Sequence, residues 1–173
     1  MRFSDITKIS RANYRCDVPF RHLRRHFNSW TEACGTVDFD PPYQRGYVWT
    51  QEQQIAYLEF VLKGGMGGRD IFFNCTTWNS TFDTPVELVD GKQRLQSVLD
   101  FLDNKIPVFG YTYKKFEDKL DLMLCFSVHV NDLTNPYDVV RWYLDMNTGG
   151  SIHTEKDLEP AYQYLNQLGV LNG

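Results

Sequence analysis

VELVDGKQRLQSVLDFL, residues 86–102, changes its hydrophobic rhythm once, at Asp90 and Gly91, and that change sets the fold class. Before the break, VELV is a short apolar run of strand length. After it, Leu95, Val98, Leu99 and Leu102 recur at helical spacing. A strand that passes through Asp-Gly into a helix predicts an α/β domain.

Working upstream, IFFNC (71–75) reads as a second strand, separated from the first by the turn-rich WNSTFD. The stretch VDFDPPYQRGYVW (37–49) begins as a short strand and then turns, because two prolines remove backbone donors and fix the direction of the chain. Thr50 and Gln53 have capping-box spacing, and Ile55, Leu58, Val61 and Leu62 form an apolar stripe ending at Gly64. GGMGGR (64–69) is a flexible or a ligand-ordered loop. RHLRRHF (21–27) predicts a short amphipathic helix. Downstream, strands are expected near 106–109 and over MLCFSVHV (123–130). Asn135-Pro136 starts a helix over 136–146, with Asn147, Gly149 and Gly150 ending it. Thr154 caps a last helix carrying Leu158, Tyr162 and Leu165.

At 173 residues and 42% apolar content, the chain has the size and composition of a single domain, 1–173. No stretch has the length of a membrane span and the first residues lack an apolar signal core, so a cytoplasmic protein without membrane contact is expected. Cys16, Cys34, Cys75 and Cys125 are too scattered for a zinc knuckle and are expected to be free thiols. Charge is uneven. Residues 1–26 hold seven Lys/Arg against two acids, and the rest holds eleven against twenty. The basic N-terminal arm and helix, residues 1–34, therefore suit either a polyanion contact, with Arg21, Arg24 and Arg25 as weak candidates for DNA, or an ordinary solvated helix. His22 and His26 have i,i+4 spacing, but no third ligand is near in sequence.

Three segments carry candidate chemistry. Gln44 and Arg45 beside Tyr47 and Trp49 offer donors for an anion with rings on which a base can stack; the plain alternative is two core aromatics and one ion pair. In DGKQR (90–94), Gly91 allows close backbone approach, and the helix it opens presents free N–H groups suited to phosphate. Arg94 lies in the first turn, where the helix dipole disfavours a cation unless an anion binds. Asp90 suits a metal ion, an oriented water or an N-cap. The third segment is Tyr143 with Asn147, Thr148, Gly149 and Gly150, where Asn147 either adopts a left-handed helix end or hydrogen-bonds a ribose or base.

Taken in order, QRGYVW, VDGKQR and YLDMNTGG resemble the motifs of the N-terminal domain of GmrSD-type, modification-dependent restriction systems over about residues 35–160. Lys92 stands where glutamine is usual and Tyr143 where phenylalanine is common. The resemblance implies a ParB/sulfiredoxin-like α/β (α+β) fold, a small mixed sheet flanked by helices. It also implies binding, and often hydrolysis, of a nucleoside triphosphate. Asp90, Gln93 and Arg94 would form the hydrolysis set, with Mg2+ on Asp90, and Gln44, Arg45, Tyr47, Trp49, Gly91, Lys92 and Asn147 would bind the nucleotide. Expected partners are the nucleotide, DNA, and a separate nuclease subunit or restriction enzyme, because no His-Asn-His nuclease cluster is present. Two competing readings are a ParB-like DNA nickase and a non-catalytic interaction or inhibitor protein.

Overall fold

The junction at Gly91 is built as its sequence predicts. A computed structural model describes residues 1, 2, 6, 14–148 and 155–171. In it, β4 (Val86–Asp90) runs directly into α3 (Lys92–Leu102), and Gly91 between them has φ 104°, a left-handed conformation. Glycine is required there twice over. A Cβ would lie 2.4 Å from Ile71 Cγ2, so the helix start is pressed against the neighbouring strand. Close approach at Gly91 is therefore to the neighbouring strand: helix-to-sheet packing demands the glycine, whether or not a ligand lies beside it.

The remaining elements are β1 (Tyr14–Pro19), α1 (Leu23–Cys34), β2 (Val37–Asp38), α2 (Gln51–Leu62), β3 (Asp70–Asn74), β5 (Cys125–Asn131), α4 (Pro136–Thr148) and α5 (Glu155–Leu171). The five strands form one mixed sheet in the order β1-β5-β3-β4-β2. Strands β1/β5 and β3/β4 are antiparallel, whereas β5/β3 and β4/β2 are parallel. The fold is therefore the small α+β domain expected. A register irregularity between Phe72 and Phe73 lies opposite the end of β4, beside the Gly91 junction.

Period-two alternation sorts the central strands into two cores. Ile71 and Phe73 of β3, Leu88 of β4, and Phe126 and Val128 of β5 face a cluster with Phe27 and Trp30 of α1, Leu58 of α2 and Val98 of α3. On the opposite face, Val89 and Phe72 meet Val139, Tyr143 and Leu144 of α4 and Leu158 and Leu165 of α5. Each buried side chain of this size stabilises the fold by about 1.5–3 kcal/mol before chain entropy is set against it. The predicted capping box is present: the Thr50 hydroxyl accepts from Gln53 N while Gln53 Oε1 accepts from Thr50 N. All four cysteines are free thiols.

Several expectations are corrected. The N-terminal arm contains a strand, β1, hydrogen-bonded along β5 from Tyr14↔Val130 to Pro19↔Cys125. Helix α1 does not stop near residue 27, because Trp30 and Cys34 extend the buried stripe of Leu23 and Phe27 until Gly35 ends it. No strand forms at 106–109. Phe109 and Gly110 take positive φ and turn the chain back, leaving a single Val108–Tyr111 bridge. Helix α4 continues through Asn147, which is helical and not a left-handed terminus. Thr154, Gly149 and Gly150 lie outside the described residues. No helix among the described residues is long and apolar enough to cross a membrane.

Candidate functional site

The N-terminus of α3 opens into a cavity of about 300 Å3, and the three sequence motifs meet around it. The first intrahelical bond of α3 runs from Leu95 N to Gly91 O, so the amides of Lys92, Gln93 and Arg94 have no helical acceptor. No side chain caps this end and its first turn holds no acid. The partial positive charge of the helix end, equivalent to about half an elementary charge, is thus met by no capping side chain.

Three cations line the same cavity: Arg45 from the loop before α2, and Lys92 and Arg94 from α3. Each is held by a carboxylate of the chain. Arg94 donates to Asp90 at 2.6 Å, Arg45 to Asp157 of α5 at 3.0 Å, and Lys92 to Asp40 and, at 3.2 Å, to Arg45 O. The side chains of the first two pairs are 22–28% exposed, so solvent reaches them and the cations are not sealed in the core. Partly exposed pairs of this kind contribute on the order of 1 kcal/mol.

Neutral groups fix the walls. Gln44 is buried, and its amide donates to Val89 O at 2.9 Å and to Leu88 O, tying the loop to the end of β4. Gln93 is also buried. Its Oε1 accepts from Val48 N at 3.0 Å and Trp49 N at 3.1 Å, while Nε2 donates to Gly46 O at 3.2 Å. Gln93 therefore uses both ends of its amide to hold the 46–49 loop and thereby places Trp49 at the cavity. Trp49 packs on Tyr57 with ring centroids 5.4 Å apart, and Tyr57 Oη donates to Gly68 O at 2.8 Å. The glycine loop thus reaches the rim at Gly68, where the stem of Arg94 lies alongside.

From the opposite face, α4 contributes Tyr143, Met146 and Asn147. Asn147 donates to Tyr143 O at 2.7 Å. Burial raises the Tyr143 phenol above its ordinary pKa; Arg45 opposes the shift and Asp90 reinforces it.

The structure brings together Gln44, Arg45, Trp49, Asp90, Gly91, Lys92, Gln93, Arg94 and Asn147. It does not bring Tyr47, whose hydroxyl is 3.4 Å from Ser97 Oγ and whose ring lines a neighbouring groove. Nor does it bring Arg21, Arg24 or Arg25. Arg24 pairs with Asp103 at the far end of α3, about 15 Å along the helix from the cavity. Arg25 follows Arg24 on α1, and Arg21 precedes that helix. His26 packs against Trp30 at 4.7 Å, and burial lowers its pKa. Among the described residues no group of three His, Cys, Asp or Glu side chains converges as a metal site would. Asp40, Asp157 and Met146 were not signalled by the sequence, since nothing local marks an acid on α5 as the partner of an arginine more than a hundred residues earlier.

A family model described as the GmrSD restriction endonuclease, N-terminal domain, matches residues 31–164, a span that contains every residue lining the cavity. No curated protein and no solved structure matches the chain.

Proposed function

Since the chain belongs to the family of GmrSD restriction endonuclease N-terminal domains, we propose that its cavity binds the phosphate chain of a nucleoside triphosphate and hydrolyses it as part of a restriction system. One observation carries this reading: Arg45, Lys92 and Arg94 converge on an uncapped helix N-terminus in one open cavity. Free amides and a helix dipole bind phosphate oxygens, and the arginine forks grip two oxygens at a time.

Phosphoryl transfer asks mainly for positioning and charge neutralisation. A water oxygen bonds to the terminal phosphorus, the bridging P–O bond breaks, and the diphosphate leaves with inorganic phosphate and a proton as the other products. Arg94 and the α3 amides hold the terminal phosphates, Arg45 and Lys92 offset the charge on the leaving side, and Trp49 excludes bulk water. Asp90 is the one carboxylate among the described residues lining the cavity, which fits Mg2+ carried in largely by phosphates and waters. The ion would neutralise phosphate charge. DNA and a partner nuclease are the partners that membership of this restriction-system family suggests.

The experiment is calorimetric titration of each nucleoside triphosphate into wild type and Arg94→Ala. Binding that disappears in the variant while its circular dichroism is unchanged supports the reading; equal affinity in both removes it. A second reading, a binding module without turnover, is favoured by Gln93, whose amide oxygen and nitrogen are both committed to the 46–49 loop. Phosphate release in Mg2+ separates the two. The nickase alternative lacks a comparable supporting observation.

A further inference from the structure

On the far side of Lys92 a second cavity, of about 550 Å3, runs along α3 between Leu95, Leu99 and Asp100 on the helix and Phe39 and Tyr47 on the facing loop. Building on the phosphate reading above, we propose that this groove receives the nucleoside half of the same ligand, with its base against the Tyr47 ring.

The first argument is continuity. Lys92 lines both cavities, and its ammonium sits on the boundary between them, held by Asp40 and by Arg45 O. A nucleotide whose phosphates lie on the α3 amides and Arg94 has its sugar at Lys92 and its base beyond. Geometry agrees with that path. The helical residues lining the groove recur at positions 92, 95, 96, 99 and 100, which is one face of α3, and from 92 to 100 that face extends about 12 Å.

Chemistry changes along the path in the order a nucleotide requires. The first cavity is lined by Arg45, Lys92 and Arg94 beside the single acid Asp90 and, at about 300 Å3, stands at the small end of ligand sites. The groove carries Phe39, Tyr47, Leu88, Leu95 and Leu99 together with polar groups, Asp40 and Lys92 toward the first cavity and Gln96, Asp100 and Lys105 away from it. Tyr47 is 38% exposed although large and aromatic, and the hydroxyl contact with Ser97 holds its ring at the groove wall. Leu88 and Leu95 supply an apolar floor. Such a ring beside a phosphate site is a stacking platform for any heteroaromatic base. At the far end Asp100 accepts from Gln96 at 2.8 Å, Lys105 at 2.9 Å and Gln54 at 3.1 Å, a polar cluster that a base edge can meet.

The placement also accounts for a side chain that the phosphate cavity leaves unused. Tyr47 and Trp49 are two residues apart, yet they line different cavities, because Gln93 grips the backbone between them.

The test is titration of ATP, GTP, CTP, UTP and sodium tripolyphosphate into wild type, Tyr47→Ala, Tyr47→Phe and Gln96→Trp, the last filling the groove from the helix side. Wild type is expected to prefer at least one nucleotide over tripolyphosphate. That ratio should fall roughly 5- to 100-fold in Tyr47→Ala, fall likewise in Gln96→Trp, and survive in Tyr47→Phe. A ratio untouched by both groove variants, or a wild type that shows no preference, overturns the base site while leaving the phosphate reading in place. Failure of wild type to bind either tripolyphosphate or any nucleotide overturns the phosphate reading, and the base site falls with it.

Discussion

Arg94 reaches back one helical turn, across Gly91, and places its guanidinium 2.6 Å from the carboxylate of Asp90. Strand end and helix start are thus joined by an ion pair that lines the cavity at the start of α3. The acid offsets the repulsion between the arginine and the positive end of the helix, and it is also the group that the proposed phosphate ligand would displace.

Asp90→Asn is expected to release that arginine. Tripolyphosphate, titrated without Mg2+, should bind the variant about 3- to 10-fold more tightly than wild type, in line with losing a competing pair worth on the order of 1 kcal/mol. Phosphate release from a bound triphosphate in Mg2+ should fall. Unchanged tripolyphosphate affinity would show that Asp90 does not compete for Arg94.

Gly91→Ala is expected to destabilise the domain by roughly 2–4 kcal/mol, combining a left-handed backbone with an overpacked contact. Its Cβ would meet both Ile71 Cγ2 and, at 3.3 Å, Ile71 Cα, so a side-chain rotation alone gives no relief. Urea unfolding of wild type and variant measures the difference. A change under 1 kcal/mol contradicts the packing described.

Gln93→Ala deletes three hydrogen bonds to the 46–49 loop. Stability is expected to drop by about 1–3 kcal/mol, and the amides of Val48 and Trp49 should exchange with solvent markedly faster. Hydrogen exchange read by NMR at those two amides is the direct check, since a loop held by other means would keep its protection.

Glu87 gives the domain a pH dependence. Burial pushes its carboxyl above the ordinary glutamate value, against the hydrogen bonds from Tyr43 and Asn74 and with help from nearby Asp38. A raised folded-state pKa means that the folded protein holds this proton more tightly than the unfolded chain does. The associated stability is complete below the ordinary value and is lost as pH rises through the raised one. In Glu87→Gln that loss should vanish, so the melting temperatures of variant and wild type should diverge with rising pH, the variant being the more stable near neutrality. Parallel melting curves from about pH 4 to about pH 8 would contradict the assignment.

Much of the fold was legible because its signals are local. The change of period at Asp90 and Gly91, the Thr50–Gln53 box and the apolar stripe of α2 each occupy only a few turns of chain, so spacing alone expresses them. Strand β1 is weakly marked in the sequence: Tyr14, Cys16 and Val18 alternate with Arg15 and Asp17, but the density of positive charge around them has the pattern of a basic arm as well. The 106–109 strand failed for the opposite reason: its residues suit a strand, but Phe109 and Gly110 reverse the chain.

By itself the sequence determined the strand-glycine-helix junction, the cluster of phosphate-binding residue types and membership of a restriction-enzyme domain family. All of these are written in residue order and short spacings. Only the tertiary structure decided that Arg45, Lys92 and Arg94 share one cavity, that Asp157 and Asp40 neutralise two of them, and that Tyr47 turns away into a separate groove. The physical reason is that those contacts depend on pairing across tens to more than a hundred residues and on backbone hydrogen bonds such as those of Gln93. Their energies are decided by what the folded sheet and helices bring within about 4 Å, and no local period records that.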